Sequence, residues 1–102
     1  MTQGLPSPFD AQLARIRAVF AWHSDAPSVL THSPELEDRT RDASRAAVAA
    51  EMPLAAACAE FGRAAAEAFP TDRLAAIAVG RTMTRWAAEV YHSTRAVDAG
   101  VS

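Results

Sequence analysis

The chain contains no lysine and no asparagine, one cysteine, one tyrosine and only four glycines in 102 residues. Each scarcity closes a route. A lone Cys58 cannot form an internal disulfide, so nothing points to an oxidising compartment. The glycines are scattered and build no phosphate-cradling loop. Neither the paired helical histidines nor the cysteine pair of a zinc signature is present, and no Gly-x-Ser-x-Gly elbow offers a nucleophile. No apolar run approaches the ~18 uninterrupted residues of a membrane span. No basic leader precedes an apolar segment. A cytoplasmic protein without membrane contact, cofactor or bound metal is the expectation. A net charge of −2 also argues against the basic footprint of a general nucleic-acid binder.

The missing lysines are replaced by ten arginines, and 25 of the 102 residues are alanine. That bias matches GC-rich coding DNA and suggests a bacterial source. Alanine is the best helix former and favours close helix–helix contact over a thick core. Without the alanines, 26 larger apolar or aromatic side chains remain, which is enough for one modest core.

Spacing along the chain predicts an all-α, four-helix bundle-like domain over residues 7–98. It would be flanked by a disordered tail (1–6) and a C-terminal tail (99–102). Ser7-Pro8 opens the first helix (8–23), whose face is Phe9, Leu13, Ile16, Phe20 and His23. Ser33-Pro34 opens the second (34–51), a largely solvated helix with a thin face of Leu36, Ala43, Ala47 and Ala50 and with Glu35–Arg39, Glu37–Arg41 and Asp38–Arg41 pairs. Pro53 starts the third (53–69), packed through Leu54, Cys58, Phe61, Ala65 and Phe69, with Gly62 marking a close neighbour. Thr71 caps the fourth (72–97), which stops before Gly100.

The fourth helix carries the functional expectation. Ala76, Val79, Met83, Trp86, Val90, Ser93 and Val97 form an unbroken three–four seam. Leu74, Ile77, Ala88 and Tyr91 form a second stripe on roughly the opposite side. A helix apolar on two sides needs two partners, and about 26 residues would span ~39 Å, longer than a spherical domain of this size. The expected function is therefore a non-enzymatic protein–protein interaction module: an adaptor, inhibitor or accessory subunit, self-associating as a homodimer through this helix. Its interaction residues would be Val79, Met83, Trp86 and Val90, with Tyr91 at the edge.

Two alternatives remain at this point. Ala76-Ile77-Ala78-Val79-Gly80 resembles the alanine–x3–glycine turn of helix-turn-helix proteins. Residues 73–95 also carry four arginines against Glu89 alone. That alternative is a small DNA-binding regulator. The other is an enzyme subunit whose site leaves no linear motif, built for instance from His23, His32 and His92.

Overall fold

A computed structural model describes the backbone of residues 7–101 and the side chains of residues 7–94. The fold is all-α. Among the described residues there are five helices and no strand: α1 (Pro8–Trp22), a 3-10 helix (Pro27–His32), α2 (Pro34–Ala49), α3 (Leu54–Ala68) and α4 (Arg73–Val101). The expected tail at 1–6 lies outside the described residues. The expected stop before Gly100 does not occur, because α4 continues to Val101. A glycine inside an alanine-rich helix costs only about 1 kcal/mol, too little to end it.

The helix starts follow local chemistry. Ser7 Oγ accepts from the Asp10 amide at 3.1 Å, and Ser33 Oγ accepts from the Leu36 amide at the same distance. At α4 the cap is Asp72, which accepts from the Ala75 amide at 3.1 Å; Thr71 lies one residue too early. The carboxylate is the better partner for a helix N-terminus because it adds charge to the hydrogen bond. Pro53 is the N-cap of α3 and not its first helical residue.

The end of α2 is a Schellman closure. Glu51 stands at φ 59°, in the left-handed region. Its amide donates to Val48 O at 2.9 Å, and the Met52 amide donates to Ala47 O at 2.9 Å.

The helices close into a ring in the spatial order α1–α2–α4–α3, with the 3-10 helix against α4; α2 and α3 barely touch. The molecule measures 47 × 38 × 20 Å, a slab two helices thick. The long α4 of 29 residues, about 43 Å, is comparable to the longest dimension of the slab. A spherical domain was the wrong reference.

One core unites the elements. Phe9 and Phe61 meet at a centroid distance of 5.8 Å, and Phe20 and Phe69 at 5.4 Å, which locks α1 onto α3. Leu30 of the 3-10 helix is fully buried. The second helix is no surface helix: Leu36, Thr40, Ala43, Ser44 and Ala47 are all buried, because α1 and α4 flank it on either side. Among the expected α2 pairs, Glu37–Arg41 forms at 2.9 Å. Arg41 reaches on to Glu89 of α4 at 2.6 Å. Among the described residues no helix is long and apolar enough to cross a membrane.

Candidate functional site

The fourth helix divides into an inner and an outer side, and the seam expected at an interface lies on the inner one. Val79 and Met83 are fully buried, Trp86 is 5% exposed and Val90 6%. They belong to the chain's own core, facing α2, α3 and the 3-10 helix. The ring of helices covers the seam, so within the folded chain these four side chains present almost no surface to a second chain. Ser93, the next seam position, is exposed, and Val97 lies outside the described side chains.

Tyr91 has a structural task as well. Its hydroxyl donates to Met52 O at 2.9 Å and ties α4 to the turn after α2. Burial, and secondarily the neighbouring Cys58 thiol, raise the Tyr91 phenol above its ordinary value of 10.0. Cys58 itself is half-buried, not fully enclosed. The Arg41 guanidinium is raised too, chiefly by its hydrogen bond to Glu89 and with burial opposing.

The outer side is open. Leu74 is 81% exposed and Ile77 46%. Next to them α3 and α4 enclose a shallow groove lined by Gly62, Ala66, Ala76, Ile77, Gly80 and Thr84, with Arg81 at its edge. It continues toward the α3–α4 turn past Phe69, Pro70 and Arg73. The helices come close at its floor, where a Cβ on Gly80 would rest 3.7 Å from Gly62 Cα. The lining is almost wholly apolar, with no convergent set of acids, bases or nucleophiles.

The histidines do not gather. His23 is half-buried, its Nδ1 lying 3.0 Å from Val19 O, while His32 and His92 are exposed on other elements. Among the described residues, no three of the His, Cys, Asp and Glu side chains come together as a metal would require. The helix-turn-helix alternative loses its local basis, because α4 passes unbroken through Gly80 and Glu89 is held by Arg41.

No protein family, curated protein or solved structure matches this chain. Its own geometry must carry the functional reading.

Sequence spacing found the two apolar stripes of α4. It did not find which stripe the rest of the chain covers. The signal for the outer face was Arg73, Ile77, Arg81 and Arg85 at steps of four, a line of cations with an apolar residue set among them.

Proposed function

We propose that this chain is a non-enzymatic helical module that binds another protein, received on the outer face of α3 and α4. The observation that carries this reading is the exposure of Leu74 and Ile77 beside an apolar groove. Burying what remains exposed of these two side chains is worth about 2–4 kcal/mol, and a folded chain gains nothing by leaving them in water. An adaptor, inhibitor or accessory subunit uses a surface of this kind, with a partner helix laying its apolar side into the groove.

A photo-crosslinking residue tests this in the cells that make the protein. It is placed at Leu74, and in a second variant at Ala14, which is exposed on α1, across the helix ring from α4. A discrete adduct with another protein from position 74 alone supports the reading. An adduct of two copies would replace that partner by the chain itself. Equal labelling from both positions, or no adduct from 74, would overturn it.

A further inference from the structure

We infer that the occupant of the groove is an acidic amphipathic helix of a different protein. The inference rests on the reading above and adds the chemistry of the partner. It begins with which charges are already committed. On the α3 side, Glu67 pairs with Arg17 at 2.8 Å and Glu60 with Arg63 at 3.4 Å. On α2, Arg41 holds Glu37 and Glu89, and Arg45 holds Asp42. Arg73, Arg81 and Arg85 on the exposed flank of α4 belong to none of these pairs. The groove therefore has only Gly62 and Ala66 on its α3 side, no acid among its lining residues, and the unpaired Arg81 on its α4 side.

A second copy is a poor fit to that pattern. A two-fold contact through this face would set both copies' Arg73, Arg81 and Arg85 around one apolar strip. The acids of α3 are already spent on Arg17 and Arg63. Nucleic acid is a poor fit as well. Its phosphates would meet the arginines but leave Leu74 and Ile77 without a partner, and the chain as a whole is acidic. An amphipathic helix satisfies both halves: apolar residues at i, i+3/i+4 and i+7 fill the groove, and flanking Glu or Asp accept fork-like contacts from arginine.

The groove floor fits a helix in particular. A Cβ added at Gly62 would meet nothing within 4 Å, so the chain's own packing does not require glycine there. A mid-helix glycine costs about 1 kcal/mol against alanine. What the bare backbone provides is depth, letting another helix approach closely where its axis crosses α3.

The probe is a display library of helices about 20 residues long, with apolar residues fixed on one face and Glu, Gln or Lys randomised along its flanks. Clones selected on the wild-type chain should be enriched in Glu on one flank. Their affinity should fall about tenfold or more with Arg81→Glu, and again in about 0.5 M salt. Gly62→Leu should lower affinity by a similar factor while circular dichroism and melting stay at or above wild type. That variant fills the groove with a side chain whose first atom meets no obstacle.

Clones with no charge preference would overturn the acidic inference and leave the docking face standing. Enrichment in Lys would overturn the inference outright, and an empty selection would overturn both it and the reading beneath it. Binding of a duplex DNA probe that Arg81→Glu abolishes would assign the arginines to phosphate. A wild-type dimer that Ile77→Asp dissociates would assign the groove to a second copy.

Discussion

Replacing Glu51 by glycine should stabilise this protein, although it removes a side chain and adds no contact. Glu51 stands at φ 59° because the Schellman closure of α2 needs a left-handed residue between Ala50 and Met52. Holding an L-residue there costs roughly 1–2 kcal/mol, since Cβ crowds the following carbonyl. Glycine escapes that penalty but adds a few tenths of a kcal/mol or more of unfolded-state entropy. The side chain offers little to set against the gain, being exposed and outside every ion pair described above. The net expectation is about 0.5–1 kcal/mol in favour of Glu51→Gly, or a rise in Tm of roughly 3–6 °C for a domain of this length.

Urea denaturation followed by circular dichroism measures it, with Glu51→Ala as the control. Alanine keeps Cβ and should gain nothing. Equal stability of the two variants would show that the closure carries no backbone strain. A Glu51→Gly variant less stable than wild type would show that the carboxylate makes a contact of its own.

Other expectations follow from the core. Trp86→Ala should cost about 3–5 kcal/mol, much of the total stability of a domain this size, and should unfold the chain instead of dissociating an assembly. Sedimentation beside urea melts checks this, and a folded variant of reduced mass would return the seam to an interface.

Tyr91→Phe should lose about 0.5–1.5 kcal/mol with the bond to Met52 O. The folded-state phenol titrates above its ordinary value of 10.0, so its contribution is whole below that value and is lost as pH rises through the raised one. Stability curves of wild type and Tyr91→Phe should therefore converge in alkali, and a constant gap up to about pH 11 would contradict the assignment.

Thr40→Val should gain about 1 kcal/mol in the same melts, because the fully buried Thr40 Oγ1 has no hydrogen-bond partner. A loss of that size would mean the hydroxyl is bonded.

The parts of the fold legible in the sequence are those written in neighbouring residues. Ser7-Pro8 and Ser33-Pro34 mark helix starts because a hydroxyl cap and a fixed φ act within one turn. The error at Thr71 came from ranking two adjacent cap residues without knowing which one faces the open amides. The 3-10 helix was hidden because Pro27-Ser28 reads as a stop signal, and Val29-Leu30 is too short an apolar run to show a period. Periodicity showed that Val79, Met83, Trp86 and Val90 need cover. It carries no information on whether the cover is the same chain, since that depends on how four helices close. For the same reason the periodicity of Leu74 and Ile77 does not mark them as left outside, and only the arginines at steps of four around Ile77 do: the apolar stripe is partly covered at Tyr91 and open at its other end.

The alanines that line both the core and the groove divide into two populations under mutation. Ala43, Ala47, Ala57, Ala64, Ala65 and Ala87 have no exposed surface. Enlarging any of them pushes helices apart and costs typically 1–3 kcal/mol. Ala55, Ala59 and Ala66 are exposed on α3, where larger side chains face no such resistance. A saturation scan selected for folding alone would thus leave the first set fixed and let the second drift. Repeated under selection for the protein's activity in the cell, it should freeze a subset of the second set. The positions that change category between the two scans would draw the outline of the bound partner on the protein's surface.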